Sequence, residues 1–107
     1  MKQLSVLELS EWLADSRRAP PLLLDVRQPW EFELCRIGGS ELSPLGALGA
    51  RLPSIEADQP VVCICHHGSR SFQAGLALER YGCSDVYNLA GGVDAWARQV
   101  DPSMATY

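Results

Sequence analysis

Seven consecutive residues, Cys65-His66-His67-Gly68-Ser69-Arg70-Ser71, gather the most reactive side chains of the sequence. They follow the apolar run Val61-Val62-Cys63-Ile64 and lead into Phe72 to Tyr81, which has helical periodicity. The order is therefore strand, short polar loop, helix. A cysteine at the C-terminal end of such a strand faces the N-terminus of the next helix. Backbone N–H groups there are unpaired, and the helix dipole adds partial positive charge. Such a place binds anions and favours a thiolate over a thiol. Arg70 adds a full positive charge, and Gly68 lets the loop curl so that successive N–H groups point inward. The stretch reads as a cradle for a charged sulfur on Cys65, lined by His66, His67, Gly68, Ser69, Arg70 and Ser71.

The elements that must position this loop are legible on either side. Leu22-Leu23-Leu24-Asp25-Val26 is a near-continuous apolar run, the pattern of a parallel strand covered on both faces. Asp25 and Arg27 fall at its C-terminal end, and Pro29 opens a short helix through Leu34 that carries Glu31. Ahead of it, Lys2-Gln3-Leu4 makes a short first strand. Ser5 and Glu8 form a capping box for a helix whose face is Val6, Leu9, Trp12 and Leu13. Ser40-Glu41-Leu42 reads as a weak strand and Leu45 to Leu52 as a helix despite Gly46 and Gly49. Gly82 ends the helix after the reactive loop, Asp85 to Leu89 is a last strand, and Gly91-Gly92 turns into a helix around Trp96. Alternating strands and helices imply an α/β fold with a mostly parallel sheet and helices on both faces. Ligands in such sheets bind beyond the C-terminal strand ends, where Asp25, Arg27 and Cys65 all lie.

The 107 residues suit one domain, 1–107, with 101–107 as an irregular tail. The net charge of −4 argues against nucleic acid as a partner. No apolar run is long enough to span a bilayer, and the N-terminus lacks an apolar signal core, which points to the cytoplasm and to free thiols for the four cysteines.

Several blocks in order resemble a single-domain rhodanese, a sulfurtransferase. They are Leu24-Asp25-Val26-Arg27 with Glu31-Phe32, Ile37-Gly38-Gly39-Ser40, the loop Cys65 to Ser71, Val86 to Gly92, and Trp96. The resemblance implies a five-stranded sheet of order 3-2-4-5-1. It also implies that Cys65 takes a sulfane sulfur as a persulfide and passes it to a nucleophile. The donor would be a small molecule such as thiosulfate, or a protein persulfide. The acceptor would be a thiol, cyanide or a sulfur-carrier protein. No cofactor is implied. The chain departs from many members at Cys35-Arg36, where they carry a glycine and a histidine. Trp96 to Tyr107, with Asp101-Pro102-Ser103, resembles the end of rhodanese domains fused to enzymes that activate sulfur-carrier proteins.

Other readings of the same residues compete. Phosphatases and arsenate reductases of this fold wrap a tetrahedral oxyanion with five residues between Cys and Arg, whereas four, His66 to Ser69, separate Cys65 from Arg70. The shorter loop favours a single sulfur atom. A non-catalytic binding module usually lacks the cysteine. A metal held by His66 and His67 with Cys63 and Cys65 is set aside, because the spacing is not that of a zinc finger and no second ligand pair appears. Cys63 shares the strand face of Cys65 but lies deeper, as core packing; Cys35 and Cys83 have no recognisable partners. Asp25, Arg27 and Glu31 are expected behind the site, holding the loop. Trp12, Trp30, Trp96 and Phe72 are expected to pack in the core or between helices.

Overall fold

A computed structural model describes residues 1–107. Its strands are β1 (Lys2–Leu4), β2 (Leu22–Asp25), β3 (Glu41–Leu42), β4 (Val61–Ile64) and β5 (Val86–Leu89). They form one parallel sheet in the order β1-β5-β4-β2-β3, which is the order the resemblance implies read from the opposite edge. The helices are α1 (Val6–Ala14), α2 (Pro29–Leu34), α3 (Leu48–Arg51), α4 (Ser69–Tyr81) and α5 (Gly92–Gln99).

The central position of β4 follows from its sequence. All four of its residues are apolar and buried, as a strand with neighbours on both edges and helices on both faces requires. The two-residue period then sorts side chains into two cores. Val62 and Ile64 join Leu23, Leu89, Leu9, Trp12, Val93 and Trp96 on the face covered by α1 and α5. Val61, Cys63 and Cys65 join Leu24, Val86, Leu48, Ala74 and Leu78 on the face covered by α3 and α4. Leu9, Leu24, Leu78 and Leu89 are wholly enclosed, each contributing about 1.5–3 kcal/mol of apolar burial. Cys65 is thereby directed towards α4 before any loop contact is counted.

The capping box at α1 forms as expected: Glu8 N donates to Ser5 Oγ at 3.0 Å and Ser5 N to Glu8 Oε1 at 2.9 Å. Gly82, at φ +119, closes α4, its N–H reaching the Leu78 and Glu79 carbonyls. The single helix expected from Leu45 to Leu52 is instead the one-turn α3 between 3-10 turns at Leu45–Ala47 and Leu52–Ser54. Gly46, Gly49 and Pro53 lower helix propensity too far for a continuous helix. Trp12 and Trp96 are buried as expected, whereas Trp30 is 62% and Phe72 42% exposed. No helix is long and apolar enough to cross a membrane.

Candidate active site

Cys65 follows the last residue of β4, one step beyond the register pair Asp25–Ile64, and is 1% exposed. Gly68, at φ +116, turns the chain into α4, a conformation that L side chains rarely adopt. The turn points the Gly68 N–H at Cys65 Sγ, 3.0 Å away. Ser71, in the first turn of α4, places its hydroxyl 3.2 Å from the same sulfur. These are the two hydrogen-bonding groups on Sγ; the wider nest of N–H groups expected from the loop does not converge on the thiol itself. The Ser71 hydroxyl also donates to Asn88 Oδ1, and Asn88 Nδ2 donates to Gly68 O at 3.1 Å and to Gln3 Oε1 at 3.1 Å. Asn88 of β5 thus fixes both contacts on the sulfur. Its signal in the sequence was a lone amide inside an apolar strand.

Arg70 does not hydrogen-bond to the sulfur. Its guanidinium forms a forked pair with Glu31, at 2.7 and 2.9 Å. Glu31 also accepts from Gln28 N at 2.9 Å and from the Tyr107 hydroxyl at 2.8 Å. Arg70 in particular, then Gln28 and Tyr107, outweigh burial and hold the Glu31 carboxyl at about 2. The three residues expected behind the site therefore divide their work. Glu31 holds the loop through Arg70. Asp25 and Arg27, both fully buried, pair with each other at 2.7–3.1 Å. Arg27 then reaches Cys35 O at 2.6 Å, Glu31 O at 3.3 Å and Tyr107 Oη at 2.9 Å, tying down α2 and the tail, with no hydrogen bond to the Cys65 loop.

Tyr107 is the site residue that sequence reasoning missed. It lies 80 residues from Arg27 and 76 from Glu31, and no local pattern marks it. Its ring stacks on His66 at 4.2 Å and meets Trp30 edge-on at 5.6 Å. Burial, above all, raises its hydroxyl to about 12. Burial, then neighbouring His67, lowers the His66 ring below its usual 6.5. His67 is largely exposed, with Nε2 3.8 Å from Asp94 Oδ2. The first turn of α5 abuts the loop: Val93 N donates to Cys65 O at 3.0 Å and Asp94 N to His66 O at 3.2 Å. Gly92 makes this approach possible, because a Cβ there would lie 2.3 Å from Cys65 O and 2.4 Å from His66 O. Ser69 begins α4 beside Gly68 and makes no side-chain hydrogen bond to the sulfur.

The five-stranded parallel sheet and its strand order agree with comparison against known proteins. The family model described as Rhodanese-like domain matches residues 5–99. The chain belongs to the rhodanese-like domain family. A protein of Allochromatium vinosum named sulfurtransferase is 38% identical over 97 residues, covering 91% of this chain and 89% of its own length. The probable adenylyltransferase/sulfurtransferase MoeZ of Mycobacterium tuberculosis is 37% identical over 102 residues, yet the chain spans only 26% of that protein. A solved rhodanese-like domain protein from Staphylococcus aureus superposes with a TM-score of 0.83 at 30% identity, covering 90% of this chain and 91% of that one.

The remaining thiols of this rhodanese-like chain sit apart from the loop contacts. All four cysteines are free and buried. Burial, then Cys83 and Cys65, pushes the Cys63 thiol up to about 12, and burial raises Cys83 as well. Cys35 lines a cavity of about 360 Å³ between the end of α2 and the tail, with Arg36, Asp101 and Met104 among its walls. Cys65 does not line that cavity.

Proposed function

We propose that this chain, as one domain with residues 101–107 as its tail, is a sulfurtransferase that carries sulfane sulfur on Cys65. The observation that carries the reading is the polar setting of Sγ, which accepts from the Gly68 amide at 3.0 Å and lies 3.2 Å from the Ser71 hydroxyl. In the first step the Cys65 thiolate attacks the sulfane sulfur of a donor such as thiosulfate. A new S–S bond forms, the donor's own bond breaks, and sulfite leaves with the electron pair. In the second step cyanide, a small thiolate or the thiolate of a sulfur-carrier protein attacks the outer sulfur, and Cys65 leaves as thiolate.

The outer sulfur of the persulfide stands about 2 Å beyond Sγ. Its negative charge falls at the start of α4, where N–H groups and the helix dipole stabilise it. Arg70, paired with Glu31, holds the start of α4 against α2 while its cation stays beside the loop. His66 and His67 line the mouth. No cofactor is needed, since the thiolate does the chemistry. The relatives named as sulfurtransferases support this reaction class; a sulfur-carrier acceptor and a cytoplasmic location are part of the proposal. With a net charge of −4 and no apolar spanning helix, neither nucleic acid nor membrane enters the reading.

The test is incubation with thiosulfate followed by intact-mass measurement. Gain of one sulfur atom, mapped to the peptide bearing Cys65 and discharged by cyanide, is the expected result. Failure to load from thiosulfate or any thiol persulfide would remove the proposal. Robust hydrolysis of phosphate esters, abolished by Cys65→Ser, would replace it with a phosphatase.

A further inference from the structure

Three side chains with metal-binding atoms meet where the Cys65 loop abuts the first turn of α5. His66, His67 and Asp94 bring one ligand atom each to within 4.8 Å of one another. The sulfur-transfer steps require no bond to any of the three. We propose that His66, His67 and Asp94 form a site for one divalent transition-metal ion of the zinc class, which clamps the Cys65 loop to the first turn of α5.

The donor set selects the ion. Two imidazoles and one carboxylate suit zinc, cobalt and their neighbours, whereas calcium and magnesium seek shells built mainly of oxygen. Three protein ligands leave the fourth tetrahedral position to water.

The backbone sets the ligands in place beforehand. Asp94 N donates to His66 O at 3.2 Å, so the carboxylate and the first imidazole belong to residues already joined. Gly92, with no Cβ, lets α5 lie against the loop, and Val93 N donates to Cys65 O at 3.0 Å. The His66 ring is held between His67, 4.0 Å away, and Tyr107, 4.2 Å away. Its Nε2 is buried and has no hydrogen-bond partner in the protein. Ligation through Nε2 would give that nitrogen the partner it lacks.

Little has to move. Bonds of about 2.0–2.1 Å to a tetrahedral ion bring ligand atoms roughly 3.3 Å apart. His67 Nε2 and Asp94 Oδ2 already stand 3.8 Å apart, and the His67 side chain, 67% exposed, is free to close the rest. Arg98 Nε donates to Asp94 Oδ2 at 3.0 Å, while Oδ1 receives no hydrogen bond. That exposed i,i+4 pair is weak and offers little competition. The sequence alone set metal aside for want of further ligands; the fold supplies Asp94 from another element.

The experiment is calorimetric titration of the full chain with zinc chloride, in a Cys65→Ser background so that the reactive thiol cannot act as a ligand. One equivalent should bind, and zinc should raise the unfolding temperature. His67→Ala and Asp94→Asn should each weaken binding by about tenfold or more and shrink that rise. His67 is exposed and Asp94, partly exposed, hydrogen-bonds through its side chain only to Arg98 on the surface, so the variants should fold. Cobalt binding in the same background should give a tetrahedral visible spectrum without a thiolate charge-transfer band. Absence of zinc binding, or binding unchanged by both substitutions, overturns the site. Sulfur loading of the wild type without metal is a separate measurement, so failure here leaves the sulfurtransferase reading standing.

Discussion

Glu31 and Arg70 stand 39 residues apart in sequence and share two hydrogen bonds, 2.7 and 2.9 Å long. The pair joins the N-terminal part of α2 to the first turn of α4. Glu31 is almost wholly buried and Arg70 partly so, which makes the contact intolerant of losing one member.

A pH dependence follows. Arg70 lowers the Glu31 carboxyl from its ordinary 4.5 to about 2. A depressed carboxylate contributes stability that is fully present above its unfolded value and is lost as pH falls through the folded one. Glu31→Gln should therefore be less stable than wild type at neutral pH, and the gap should close as pH falls from about 4.5 towards 2. Urea unfolding across that range measures it. A gap that stays constant would show that the glutamate acts by shape alone.

Ser71 offers a sharper test of the sulfur environment. Its hydroxyl has one proton and two neighbours, Cys65 Sγ and Asn88 Oδ1. While that proton is on Asn88, the hydroxyl can only accept from the thiol; turned to the sulfur, it stabilises a thiolate or persulfide. Ser71→Ala removes this donor and strips Asn88 Oδ1 of its only partner, a buried acceptor worth about 1–3 kcal/mol when left unpaired. The variant should fold with reduced stability and load sulfur more slowly. Loading at the wild-type rate would assign the stabilisation to backbone N–H groups alone.

What the sequence made legible was periodic or local. The apolar runs of β2 and β4, the Ser5–Glu8 box and Gly82 each state their structure within a few residues. The Cys65 loop was legible for the same reason. Tyr107 was not, because its meaning lies in Arg27, Glu31 and His66, which folding brings to it from distant positions. Nor could the sequence show that Arg70 meets Glu31 before it meets any anion. Trp30 and Phe72 misled, since an aromatic residue on a short helix or a first helical turn reads as core until the covering layer is known. The region around α3 resisted for want of a strong period, with Gly46, Gly49 and Pro53 interrupting every turn.

Gly92 and Gly49 should respond oppositely to alanine. At Gly92, φ is +59 and a new Cβ would press into two backbone oxygens, those of Cys65 and His66. Neither atom can swing aside as a side chain would. Gly92→Ala should cost well over about 1 kcal/mol and displace the Cys65 loop, lowering sulfur loading. Gly49 lies in α3 with no atom within 4 Å of the added carbon. Gly49→Ala should be neutral or add about 0.5–1 kcal/mol. Thermal denaturation of both variants decides, and a Gly92→Ala protein as stable as wild type would show that α5 can withdraw from the loop.

Cys63 and Cys65 share one face of β4 and one core, yet their surroundings separate them. Two residues apart in an extended strand, their Cα atoms are about 6.6 Å apart with side chains running parallel, which disfavours a disulfide. Cys63 has no hydrogen-bonding group on its sulfur, and burial pushes its thiol up to about 12, so it remains a thiol at neutral pH. Cys65 has the Gly68 amide and the Ser71 hydroxyl. Cys65→Ser should abolish sulfur loading. Cys63→Ser should retain most of it, while burying a hydroxyl in an apolar core at a cost of roughly 1–3 kcal/mol. Mass spectrometry with peptide mapping on each variant, alongside a denaturation curve, makes the comparison. If folded Cys63→Ser lost loading as completely as Cys65→Ser, sulfur would have to pass between the two thiols, and the single-cysteine route through Cys65 would be wrong.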